Sequence, residues 1–157
     1  MTNAATLLTQ LENGSLPPEK FNHFGHVRAA WLALEEEGEF AAALTRYSHA
    51  LKAYARTQGV PGKYNETITV FFMALIHRHR CESGPLDWQA FQTAWPTLFE
   101  APGQLLERHY SQARLNSALA RSCFLLPDNP EAAQPREIDT PDVIQGSNPG
   151  PFASGGE

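Results

Sequence analysis

Positive charge is scarce in this chain of 157 residues: 12 Lys and Arg stand against 17 Asp and Glu, for a formal net charge of −5. No basic run is long enough to neutralise a row of phosphates, which argues against a nucleic-acid partner. Nor is there a basic amphipathic segment of the kind that lies on an anionic membrane. Cysteine is equally sparse. Cys81 and Cys123 stand far apart with no C-x-x-C pair, which removes a disulfide framework and a zinc knuckle. The most apolar stretch, Ile68–Ile76, is too short to span a bilayer. The first eleven residues have no basic segment followed by an apolar core, so they do not read as a secretory signal. Together these shortages predict a cytoplasmic protein with neither membrane nor nucleic-acid partners. Phosphate-cradling glycine loops, the HExxH pattern of zinc proteases and the paired ExxH motifs of di-iron bundles are missing too.

What is present is helical patterning. Leu7, Leu8 and Leu11 form a short apolar stripe that stops at Asn13-Gly14. Phe24, Val27, Trp31 and Leu34 fall on one face of a helix over 21–37, with Gly38 as its stop. A second helix runs over 40–56, carrying Ala43, Leu44, Tyr47, Leu51 and Tyr54, before the break Gly59-Val60-Pro61-Gly62. The β-branched and aromatic run Ile68, Val70, Phe71, Phe72, Leu75, Ile76 could be a buried strand, but its length out to Cys81 favours a buried helix. Asp87 is a candidate cap for a helix over 88–94, Thr97–Glu100 reads as a short turn of helix, and another helical segment covers 104–110. A last helix is expected over 111–126, with Leu115, Ala118, Leu119 and Ser122 on one face, Cys123 in or near the core, and Phe124 and Leu126 closing the end. Beyond Leu126 proline and glycine dominate. The reading is all-α: a single bundle of about five to six helices over 1–126, followed by a disordered tail over 127–157.

One constellation carries chemistry. His23 and His26, three apart on a helix start, project from one face in a geometry that a transition-metal ion can bridge. Arg28 is a candidate anion anchor. A third ligand or an acid–base group must come from elsewhere, and Glu66 is the choice, at the start of another helix beside Tyr64, Asn65 and Thr67. Each has a plain structural alternative. A first-turn Glu answers the helix dipole, Asn65 suits a helix cap, and first-turn histidines often bond to backbone or carboxylate groups. Cys81, behind His79 and Arg80, has cationic neighbours but no orienting partner.

The block Phe21-Asn22-His23-Phe24-Gly25-His26-Val27-Arg28-Ala29-Ala30-Trp31 resembles the opening of a small, uncharacterised, all-helical bacterial protein family with an F-x-H-x-x-H-V-R-x-A-W pattern. Lys63-Tyr64-Asn65-Glu66-Thr67-Ile68-Thr69 is similar to its K-Y-[HN]-E-T-x-T block, and residues from Tyr110 to Asp128 to a third. The resemblance spans 21–128 and implies a helical fold and a set of marked positions. It also implies that histidine is usual where Asn65 stands here, which weakens a three-histidine metal centre in this chain.

The expectation is therefore a pocket between two helix starts. In it Glu66 and Tyr64 would be catalytic, Arg28, Asn65 and Thr67 would bind substrate, and His23 and His26 would hold a single transition-metal ion. The rival is a non-catalytic module, binding a small molecule or a protein, in which the same residues form a structural polar network. An apolar helix face could also pair two copies of the chain.

Overall fold

The computed structural model describes residues 4–129, with side chains from residue 7 onward. The expected tail beyond Asn129 lies outside the described residues. Among those described there are helices and no strands. Four longer helices, α1 (Ala4–Asn13), α2 (His23–Glu37), α3 (Phe40–Thr57) and α4 (Glu66–Ser83), build the bundle. Five short ones follow: α5 (Trp88–Ala94), α6 (Thr97–Glu100), α7 (Pro102–Glu107), α8 (Gln112–Leu115) and α9 (Ala118–Ser122). None is long and apolar enough to cross a membrane.

α2 is the centre. It packs against α1, α3, α4 and α6, and from Ala29 to Leu34 it is buried on every side rather than along one stripe. Ala29, Ala30 and Ala33 let neighbouring backbones approach, while Val27, Trp31, Leu32 and Leu34 fill the space between them. Phe24, expected on the buried stripe, stands at the less protected end of the helix and is 40% exposed against Trp88 and Phe99. The caps follow the sequence closely. Asn22 Oδ1 accepts from the amide of Gly25, Asn65 Oδ1 from Ile68 and Asp87 Oδ1 from Ala90, each answering an amide that the first helical turn leaves open.

The ambiguous run at 68–76 is helical. It buries Thr69, Met73 and Ile76 at spacings of four and three, a period that no strand provides. The expected helix over 111–126, by contrast, breaks into α8 and α9. Ser111 and Ser117 each turn a hydroxyl onto the amide three residues ahead, of Arg114 and Ala120, and so start two helices where periodicity suggested one. Cys123 is extended and exposed, not core, and Phe124 and Leu126 face outward because the chain has left the helix before reaching them. The folded body also runs past 126. Asp128 accepts from the amide and hydroxyl of Ser111 at 2.8 and 2.7 Å, and Asn129 reaches the carbonyl of Glu107.

The turn after α1 depends on Gly14, whose φ of +77° lies in the left-handed region; a Cβ there would sit 2.8 Å from Thr57 Oγ1. Gly14→Ala is expected to cost about 1–3 kcal/mol in urea unfolding, from backbone strain together with overlap. In a Thr57→Ala background only the backbone share should remain, about 1 kcal/mol. An unchanged cost in that background would mean that the overlap contributes nothing.

Candidate functional site

A cavity of about 830 Å³ opens between the start of α2, the middle of α3, the start of α4 and the start of α7. Its walls are largely apolar, including Phe21, Val27, Leu51, Ile68, Phe72 and Leu106, and exposed Pro18, Val60, Lys63 and Gly103 form the rim. The chain reaches this arrangement because Pro17-Pro18 starts a 3-10 turn over Pro18–Lys20 that delivers Phe21 to the first turn of α2. Gly25 lets the chain pack closely there: a Cβ would lie 3.1 Å from the carbonyl of Lys20 and 3.4 Å from the Phe21 ring. Phe21 then stacks on His26, ring centres 3.8 Å apart.

His23 and His26 both line the cavity, as do Tyr64 and Asn65. His23 Nε2 lies 2.6 Å from the carbonyl of Leu98 in α6, and its ring meets the edge of Phe72. A carbonyl can only accept, so that nitrogen carries the hydrogen. His26 Nδ1 lies 3.4 Å from the hydroxyl of Tyr47, which donates to the His26 main-chain carbonyl at 3.1 Å. Burial, followed by the neighbouring His23, lowers the His26 pKa from 6.5 to about 4, so the imidazole is neutral at pH 7. Burial likewise holds the phenols of Tyr47 and Tyr64 well above the usual tyrosine range. Tyr64 donates to Glu66 Oε1 at 3.0 Å and carries the ammonium of Lys52 over its ring at 5.1 Å.

The other three expected residues point elsewhere. Arg28 is two positions beyond His26, about 200° around the helix, and its guanidinium lies over Trp88, 5.7 Å from the ring centre. Glu66 turns away from the cavity wall towards Tyr64 and Lys52, whose ammonium is 3.8 Å from its carboxylate. Thr67 is fully buried on the opposite side, bonded to Ala120, Cys123 and Leu125. On α4 the cavity face is Asn65, Ile68, Thr69 and Phe72, a four-residue rhythm that leaves Glu66 and Thr67 off it. Asn65 is a structural tie as well: besides capping α4 it donates through Nδ2 to the carbonyl of Leu115 at 2.8 Å.

The two histidines alone fall short of the three protein ligands that a zinc or iron centre usually has. Among the described residues no three His, Cys, Asp or Glu side chains converge, and His23 and His26 gain no carboxylate or thiolate beside them. The nitrogen that His23 offers to Leu98 is protonated and cannot ligate.

No family model, curated protein or solved structure matches the chain. The site is therefore read from its own geometry. Among its polar members, Asn22, Gln58, Lys63, Thr69 and the two tyrosines Tyr47 and Tyr54, which read as core, were not singled out in the sequence as site residues. A signal existed for the tyrosines. A phenol on the buried face of a helix needs a partner for its hydroxyl, and here Tyr47 reaches His26 while Tyr54 reaches the carbonyl of Leu16 at 2.8 Å. A second, shallower groove of about 600 Å³ runs along α3, but it is polar, and its Arg46 is tied to Glu12, Glu36 and Glu37.

Proposed function

We propose that this protein binds a small, largely apolar molecule in the cavity between α2, α3, α4 and α7. The observation that carries the reading is the cavity itself: about 830 Å³ falls within the range of small-molecule sites, and its apolar walls are interrupted by a few oriented polar groups. The two blocks that resemble the helical bacterial family supply His23, His26, Lys63, Tyr64 and Asn65 to it, consistent with a binding site at those positions. A binding role fits better than a catalytic one. A general base works best with a pKa near the working pH, and His26, at about 4, is far below it. The carboxylate of Glu66, the expected acid–base group, faces Lys52 and Tyr64. Of the residues in the structural-network alternative, Asn65, Thr67 and His23 do tie α2 and α4 to the C-terminal third of the fold, and they leave the cavity open.

The neutral fluorophore N-phenyl-1-naphthylamine tests this. It should bind with a blue-shifted, enhanced emission and a micromolar Kd. Ala55, half-buried on the cavity side of α3, can be enlarged without entering the central core. Ala55→Trp should weaken binding at least tenfold, about 1.4 kcal/mol, while leaving the thermal midpoint within a few degrees. Equal binding by a still-folded Ala55→Trp would place the dye elsewhere and remove support for the cavity.

A further inference from the structure

The hydroxyl and imidazole N–H donors of the cavity wall are turned into the protein. Tyr47 donates to the carbonyl of His26, Tyr54 to that of Leu16, Tyr64 to Glu66, and Thr69 to the carbonyl of Asn65 at 2.8 Å. The two histidines follow the same rule. His23 directs its Nε2–H to Leu98. Tyr47 has one proton, and the shorter of its two contacts assigns that proton to the His26 carbonyl; the contact with Nδ1 is then an Nδ1–H donating to the phenol oxygen. This leaves Nε2 of His26 as a bare lone pair with no partner among the described residues. No carboxylate lines the cavity, and its one charged side chain, Lys63, is exposed at the rim.

We infer that the ligand is an uncharged molecule with an apolar body and a hydroxyl or amide N–H group, whose hydrogen is accepted by His26 Nε2. The inference rests on the binding role proposed above and names the ligand class. A cationic amine would find no counter-charge and would meet Lys63 and the positive ends of α2 and α4. A carboxylate would be drawn to Lys63 and the helix starts at the rim, but it would give up hydration to enter the apolar chamber and would meet the bare ring nitrogens inside it. A hydroxyl or N–H donor is complementary, because it gives a hydrogen to a cavity-wall ring nitrogen that the protein leaves without one.

The test is a pair of probes with the same body: octan-1-ol, which donates, and 1-methoxyoctane, which does not. Each is titrated as a competitor of N-phenyl-1-naphthylamine, with octanoate and octylammonium alongside. A pocket that reads only apolar area would favour the ether. Octan-1-ol is expected to bind about three- to tenfold tighter than the ether, the value of one hydrogen bond, and His26→Phe should erase or reverse that order. In the wild type the His26 Nε2 nitrogen resonance should move on adding octan-1-ol and stay in place with the ether, a readout that does not depend on the variant folding. An ether that binds as well as the alcohol, or an ion that binds best, overturns the donor inference while the cavity still binds dye. Failure of the dye and of all four competitors to bind would instead remove the binding role itself, and the inference with it.

Discussion

Replacing Thr67 by valine should destabilise the protein by about 2–4 kcal/mol, although the side chain keeps its shape and sits where solvent never reaches it. The hydroxyl lies 2.9 Å from the carbonyls of Ala120 and of Cys123, and it accepts the amide of Leu125 at 3.1 Å. One atom thus joins the first turn of α4 to the end of α9 and to the extended segment after it. Valine offers a methyl in its place, leaving the Leu125 amide and the buried Ala120 carbonyl without the hydroxyl as partner. Urea unfolding measures the loss. Thr67→Ser, which keeps the hydroxyl and gives up one buried methyl, should cost only about 1 kcal/mol. Amide exchange at Leu125 should accelerate in the valine variant alone. A valine cost near that of serine would mean that packing, not the hydroxyl, holds the C-terminal strap to α4.

The case of Thr67 shows how the sequence divides into what it discloses and what it withholds. Local rules were legible. Asn65 and Asp87 announce helix starts, and the structure uses each side chain as a cap, as it does Asn22, which the expected helix over 21–37 had placed inside. Length out to Cys81 separated helix from strand at 68–76, where residue types alone were ambiguous. The apolar period over 111–126 suggested one helix, and the caps at Ser111 and Ser117 make it two. Direction around an axis was harder to read. His23, His26, Tyr64 and Asn65 do border one cavity, while Arg28, Glu66 and Thr67, one or two positions away, face other neighbours. At 100° per residue, adjacency in a motif predicts divergence in space, and only the partner helices decide which of the divergent directions meet. Tyr47 joins the cluster from α3, twenty-one residues after His26, and no spacing rule links the two.

Acid should weaken the fold through His26 well before the carboxylates titrate. With a folded-state pKa lowered to about 4 against 6.5 in the unfolded chain, the native state binds fewer protons across that interval. Stability is therefore fully present above pH 6.5 and is lost as pH falls towards 4, by about 3 kcal/mol if the whole shift is realised. Burial is the main cause, and His23 adds to it; Phe21 covers one face of the ring, and the Tyr47 hydroxyl lies at Nδ1. No carboxylate borders the cavity to offset a charge there. His79, stacked on Trp95, is lowered in the same direction by burial, and its contribution is likewise lost as pH falls below 6.5. Asp128, held below the usual carboxylate value first by its hydrogen bond from Ser111, acts at lower pH. His26→Leu separates these contributions. The variant should lose about 2–3 kcal/mol less than the wild type between pH 7 and pH 4 in urea titrations. Identical slopes would mean that His26 is protonated in the native state without cost, and hence that water or a rotated ring solvates it. The same proton bears on binding. Charging the ring places a hydrogen on Nε2 and turns the acceptor of the cavity into a donor, so affinity for octan-1-ol should fall with acid while that for its methyl ether does not.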